Sequence, residues 1–331
     1  MAHRQHTIYK HIFGPVPSRR LGISLGVDLV PHKTCTLDCV YCECGKTTCL
    51  TLERKEYVPP EQINAELDAA LSQGPELDVI TFSGAGEPTL YSGIGEIIRF
   101  IKTRYPKYRV AVLTNGTLLF QPGVREEIID ADIVKVSLDA VSEKGFFRIN
   151  RPHADLELSG ILDGLNRFRK RFERQFWVEV FLLEGFNDSE IELNKIKETL
   201  SSLQPDRIQL NTLDRPGTEG WIRPLDGSAL KGIAAHLYNA EIIEDVETIK
   251  TARIPDEDPS ERILSTIKRR PCTVEDVSKS LGIQASRLPG YLDALVEKGE
   301  IEKKEMQRGV FYRVRDANLP KATCSRHAPL A

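Results

Sequence analysis

No apolar run among the 331 residues approaches the 18 or so that a membrane-spanning helix requires. The opening residues, Met1 to His6, lack the apolar centre of a signal sequence. Together these absences lead us to expect a cytoplasmic chain with no membrane partner. Cysteine is scarce: there are seven, none before Cys35, with Cys35, Cys39, Cys42, Cys44 and Cys49 crowded into one stretch. An odd number packed together makes a poor disulfide framework and suits a metal in a reducing compartment. Cys272 and Cys324 lie far away and read as ordinary thiols. The net charge is only -3, so nothing global demands a nucleic-acid partner. The charge is nevertheless uneven. From Pro259 to Ala331 there are 14 Lys and Arg against 9 Asp and Glu, which leaves 31 against 39 for the residues before.

What is present starts with the loop from Lys33 to Cys42. Three thiols in eight residues can each hold one iron of a cubane iron-sulfur cluster, leaving a fourth iron without a local cysteine and open to a ligand. A structural zinc site that adds Cys44 and Cys49 is the alternative. Zinc knuckles, however, come as two CxxC-like pairs around a longer insert, and no second pair follows here.

With 40% hydrophobic and 28% charged residues the chain can bury a large core and fill two domains. Phe13 to Gly26 reads as an ordered loop rich in glycine and proline, and Val27 to Val30 as the first strand, with the cysteine loop directly after it. Pro59 to about Ser72 is an expected helix with proline at its start. Short apolar runs then alternate with amphipathic segments. Strands are expected at 78–82, 109–113, 133–136, 176–182 and 207–210, with helices near 94–103, 124–130, 165–172 and 189–203. Right-handed crossovers turn such a series into an α/β fold, here a partial (βα)6 barrel. Chemistry in such barrels gathers at the C-terminal ends of the strands. Those ends carry Ser83 to Thr89, Thr114 to Thr117, Ser137 to Asp139, Glu184 to Asp188 and Asn211 to Gly217.

The CxxxCxxC spacing, with aromatic Tyr41 before the last cysteine, resembles the cluster loop of the radical S-adenosylmethionine (SAM) superfamily. Gly84 to Glu87 looks like its GGE motif in a GAGE form, Ser137 and Asp139 like its ribose-binding strand, and Thr114 to Gly116 like a common third-strand ending. The Phe13 to Arg20 lead-in resembles the branch that includes the wyosine-type tRNA-modifying synthases. This resemblance implies a 4Fe-4S cluster on Cys35, Cys39 and Cys42. Its open iron would be chelated by SAM, which one electron cleaves to a 5'-deoxyadenosyl radical that abstracts hydrogen from a substrate. A reductant such as flavodoxin or ferredoxin is the implied partner. The needs of SAM assign Glu87, reached closely past Gly84 and Gly86, to its ammonium, and Ser137 and Asp139 to the ribose hydroxyls. Tyr41 and the segment at Asn211 would face the adenine, and Asn115 closes the set. Wyosine-type synthases carry a second cluster on cysteines ahead of the main loop, which this chain lacks. A tRNA-modifying enzyme, a glycyl-radical activating enzyme and a zinc-binding regulator therefore stand as alternatives, and the substrate is unassigned.

We expect a lead-in at 1–23, the barrel at 24–250, a polar, proline-bearing linker at 251–258, a small domain at 259–315 and a tail at 316–331. In the small domain Ile263 to Ile267 is a short helix, Thr273 caps a second with Asp276 at its third position, Leu288 to Glu297 is a third, and a hairpin follows. That order resembles a winged helix-turn-helix, which implies an RNA or protein partner.

Overall fold

The computed structural model describes residues 9–243 and 259–315. The expected linker at 251–258, the tail at 316–331 and Cys324 lie outside the described residues.

The chain begins with strands β1 (Ile12–Ser18) and β2 (Gly22–Val27) and the two-residue strands β3 (Thr34–Cys35) and β4 (Cys49–Leu50). Helix α1 (Pro60–Leu71) leads into β5 (Val79–Phe82), α2 (Ile94–Arg104), β6 (Arg109–Thr114), α3 (Pro122–Glu127) and β7 (Ile133–Ser137). Then come α4 (Glu143–Asn150), α5 (Leu158–Arg169), β8 (Gln175–Leu182), α6 (Glu190–Leu203), β9 (Arg207–Thr212), α7 (Gly227–His236) and β10 (Glu241–Ile242). The small domain adds α8 (Ser260–Arg269), α9 (Val274–Leu281), α10 (Leu288–Glu297) and a hairpin of β11 (Ile301–Met306) with β12 (Gly309–Val314).

Eight strands form one sheet in the order β1-β2-β5-β6-β7-β8-β9-β10. From β2 to β10 every pairing is parallel, and β1 is antiparallel at the edge. Sequential order with helical crossovers is the signature of an unclosed barrel, so the expected α/β partial barrel is what the chain forms. Two readings change. The first parallel strand is β2 rather than Val27 to Val30, and the lead-in taken as a loop holds β1. Glycine and proline hid this strand pair, because β1 needs no long apolar run: only its first residue, Ile12, is buried. Helix α4, short and starting at capping Ser142, also escaped the sequence reading.

The two faces of the sheet differ. On the outer face Ile80, Phe82, Val110, Val112, Val134, Val178 and Leu210 join the main apolar core. Helix α2 adds Ile94, Ile97, Ile98 and Ile101, an i, i+3, i+4, i+7 stripe that is fully buried. Each such side chain contributes up to about 1.5–3 kcal/mol. The inner face closes one end with a separate cluster, Val79, Ala111, Ile133 and Trp177, against Leu21. The small domain has its own core of Ile263, Ile267, Val277, Leu288, Leu292 and Ile301, and α9 packs against β1. No helix among the described residues is long and apolar enough to cross a membrane.

Candidate active site

The cysteine loop rests on the C-terminal ends of the parallel strands, held mainly by backbone bonds. The amide of Asp38 donates to the carbonyls of Asn150 and Arg151 (3.0 and 3.1 Å), that of Val40 to Ile149 (2.9 Å), and that of His153 to Thr36 (3.0 Å). On the opposite side the GAGE segment meets the loop: the Glu87 amide donates to the Thr34 carbonyl at 3.0 Å, and that of Lys33 to Ala85. The reason for glycine at 86 is close approach, since a Cβ there would lie 2.3 Å from the Thr34 carbonyl oxygen. Gly84 sits at φ +146°, and a Cβ would strike the Asp28 carboxylate. A third strap follows β9. The Thr218 hydroxyl donates to the carbonyls of Cys39 and Cys42, each at 3.2 Å. The Glu219 amide donates to Val40.

Each of the three candidate cysteines receives a side-chain N–H donor from a different residue. Asn115 Nδ2 donates to Cys35 Sγ at 3.6 Å, Asn150 Nδ2 to Cys39 Sγ at 3.5 Å, and Lys33 Nζ to Cys42 Sγ at 3.0 Å. Lys33 is 2% exposed. Burial works against its charge, but Cys42, Cys35 and Cys44 around it hold the ammonium above its ordinary range. Burial pushes the Cys35 thiol up to about 11 and raises Cys39, whereas a bond from Cys44, with Lys33 adding to it against burial, brings Cys42 down to about 5. Among the described residues no three His, Cys, Asp or Glu converge tightly enough to grip a single metal ion. A cubane takes one thiolate per iron at separate corners. The donor set therefore fits the cluster: three thiols on one loop, each with its own N–H donor, and a buried cation to offset thiolate charge. Cys44 lies beside Cys42 and also donates to the Arg269 carbonyl at 3.0 Å.

The two candidate carboxylates each accept several hydrogen bonds from the protein itself. Glu87 Oε1 accepts from the Thr89 amide (3.0 Å) and hydroxyl (2.6 Å) and the Thr114 hydroxyl (2.5 Å), while Oε2 accepts from the Asn115 amide (2.8 Å). It ties the end of β5 to the end of β6. Asp139 Oδ2 accepts from the Tyr41 hydroxyl (2.5 Å) and Asn150 Nδ2 (2.7 Å), and Oδ1 from the Phe181 amide (2.9 Å). It fixes the loop to β8. Burial raises the pKa of both carboxyls, and these donors oppose it. Tyr41 stacks on Phe181 with centroids 3.9 Å apart, so one of its faces is already covered. Ser137 is half-buried at the end of β7. Asn211 is 5% exposed and in register with Phe181.

Asn150, Thr218 and Phe181 were missed by the sequence reading. Asn150 ends an unforeseen helix and Thr218 belongs to an irregular loop, and neither has a motif of its own. A cleft between α6 and α7, walled by Leu193, Leu225, Ile233 and His236 among others, contains no residue of the cysteine loop.

The barrel and its cysteine loop define a class. Residues 29–193 match the model of the radical SAM superfamily, so this is an enzyme, and the superfamily implies a 4Fe-4S cluster and SAM. The chain belongs to the UPF0026 family: it is 33% identical to a UPF0026 protein of Methanocaldococcus jannaschii over 319 residues, covering 93% of this chain and 98% of that one. A protein of Brachyspira hyodysenteriae named GTPase Obg is 35% identical over 309 residues, 91% of this chain, which spans only 45% of that relative's length. Among solved structures a radical SAM methyltransferase from Sphaerobacter thermophilus shares the fold. It has a TM-score of 0.51 at 17% identity, covering 66% of this chain and 65% of that one.

Proposed function

We propose that the chain holds a 4Fe-4S cluster on Cys35, Cys39 and Cys42 and uses it with SAM for hydrogen abstraction from a substrate still to be assigned. The observation that carries this reading is the trio of separate donors, Asn115, Asn150 and Lys33, each aimed at one of the three thiols. When bound, the cluster and SAM supply a 5'-deoxyadenosyl radical after one electron arrives from a flavodoxin- or ferredoxin-like donor. The protein positions and excludes water. Gly84 and Gly86 let strand β5 reach the loop, Asp139 locks Tyr41, and Ser137 and Asn211 remain at the strand ends as candidates for the nucleoside. Anaerobically reconstituted protein given SAM and dithionite should form 5'-deoxyadenosine. Cys35→Ala, Cys39→Ala and Cys42→Ala should each lose about four irons per chain and that product together, and Cys44→Ala should keep both. Full iron and sulfide with no 5'-deoxyadenosine would sink the reading.

An RNA substrate is a second reading, favoured by one feature of the rim. Trp221 is 52% exposed just beyond the Thr218 strap, stacks on Phe186 at 5.6 Å, and Arg148 covers that ring at 4.5 Å. An aromatic platform with a cation suits an unpaired base. The small domain, read as a winged helix, would add exposed Arg287, Lys298 and Lys304. Filter binding of bulk tRNA across a salt series, on wild type and Trp221→Ala, tests it. Binding without salt dependence, or undiminished in the variant, would turn attention to a protein partner.

A further inference from the structure

The inner face of the barrel is layered. Above the apolar floor of Val79, Ala111, Ile133 and Trp177, and one step along each strand below Ser137, Phe181 and Asn211, the register places Lys135 on β7 and Glu179 on β8. Arg20 enters this layer from the turn between β1 and β2. Its Nε lies 2.7 Å from Glu179 Oε2, and Lys135 Nζ lies 3.3 Å from the same oxygen. The side chains of Lys135 and Glu179 are each 9% exposed, and that of Arg20 is 17%. Two cations thus share one carboxylate oxygen. The next carboxylate, Asp139, acts on Lys135 from one layer above and already accepts from Tyr41, Asn150 and the Phe181 amide. Among the described residues Arg19, Arg215 and Arg308 pair separately with Asp214, Asp276 and Glu43.

A barrel interior needed only for stability would be apolar, since burying charge costs several kcal/mol per ion. An unbalanced buried cation is costlier still, and an arriving anion removes that cost. The position is equally specific: it lies directly beneath the residues that the proposed function assigns to the cofactor, where a substrate carbon would have to be presented. Burial works upward on the Glu179 carboxyl, yet Arg20 and Lys135 hold it down to about 2, so it stays an anion; burial lowers the Lys135 ammonium, with Glu179 opposing it, so a second anion beside Lys135 would favour its charged form.

Resting on that proposed function, we infer that Arg20 and Lys135 seat an oxyanion of the substrate, a carboxylate or a phosphate group, with Glu179 holding the two cations in place until it arrives. Glu179 is then a positioning residue, and the two cations are substrate-binding residues.

The test follows thermal unfolding of the anaerobically reconstituted full chain, with saturating SAM, in sodium acetate or sodium phosphate against sodium chloride at matched ionic strength. At least one oxyanion should raise the midpoint above chloride, acetate pointing to a carboxylate and phosphate to a phosphoryl group. Glu179→Gln removes the internal competitor and should tighten that anion by roughly tenfold, whereas Lys135→Met and Arg20→Gln should abolish the effect. A merely structural salt bridge gives the opposite pattern: Glu179→Gln is less stable and binds nothing. The proposal is overturned if neither oxyanion exceeds chloride in wild type and Glu179→Gln, or if the effect survives in both cation variants. It is also overturned if the effect appears only without SAM, because SAM's own carboxylate would then occupy the seat. Formation of 5'-deoxyadenosine is read separately. Product without an anion effect removes only the seat, and an anion effect without product removes the radical chemistry.

Discussion

The acidic barrel and the basic small domain use charge in opposite ways. Inside the barrel, ionised groups are arranged in layers among the barrel's own strands, as with Glu179 between Arg20 and Lys135. In the small domain several cations point out of the domain and into the barrel. Arg308 Nε lies 2.9 Å from Asp214, and Arg269 reaches Asp28 at 2.8 Å while lying over the Phe13 ring. In return, Asp276 of α9 accepts from Arg215 of the barrel at 2.6 Å, and Arg215 also donates to the Pro271 carbonyl at 2.7 Å. The charge asymmetry, 14 against 9 in one part and 31 against 39 in the other, is therefore answered partly within the chain. A basic domain need not imply a nucleic acid when an acidic neighbour is already bound to it. The contact also reaches the chemistry, since the Arg269 carbonyl receives the Cys44 thiol.

Three perturbations sharpen this comparison. The largest is Arg215→Met. Its side chain is 3% exposed, and losing it takes one of two guanidinium partners from Asp276, Arg308 being the other, and the side-chain donor from the Pro271 carbonyl. Removing hydrogen bonds to a charged group that keeps a second partner costs about 1.5–3 kcal/mol, so denaturant unfolding should show a loss of that order, and a loss under about 1 kcal/mol would mean that the remaining ion pairs and apolar packing hold the junction without Arg215. Acid comes next. Burial raises the Asp276 carboxyl, but Arg215, the Thr273 amide and Arg308 hold it well below its ordinary value, and Glu179 is likewise held down to about 2. A depressed carboxyl stabilises the fold above its unfolded value near 4 and ceases to as pH falls toward the folded one. Stability should therefore fall between about pH 5 and pH 2, and Asp276→Asn should flatten part of that limb. An unchanged slope in a urea series would contradict the role given to Asp276. The smallest effect is Thr273→Ala, which removes a capping box in which the Thr273 hydroxyl accepts from the Asp276 amide and the Asp276 side chain accepts from the Thr273 amide. About 1 kcal/mol should be lost from the small domain, with cluster content unchanged. Loss of iron in this variant would show that the two regions are more tightly coupled than their separate cores imply.

The sequence by itself determined the elements whose cause is local. Period-two and period-3.6 apolar patterns found β5 to β9 and their helices other than α4 because each element buries one face, and Leu288 to Glu297 and the capping at Thr273 were readable from the residues at the helix ends. The three thiols were legible because cluster ligands are contiguous in the chain. The structure alone decided what the strand-end residues face. Glu87 and Asp139 are carboxylates at strand ends, a pattern that suits SAM, and the protein donors that also hold them, Thr114, Asn115, Asn150 and the Phe181 amide, come from 11 to 42 residues away. Strand β1 was hidden because pairing at the edge of a sheet needs backbone partners rather than an apolar run. Ser18, Arg19 and Arg20 suit a carboxylate or phosphate by residue type alone, but the layer that joins Arg20 to Lys135 and Glu179 was hidden for the same kind of reason. Three residues spread over 160 positions become neighbours only when strand register stacks them inside a barrel, and a linear pattern does not encode which charges will share one carboxylate oxygen.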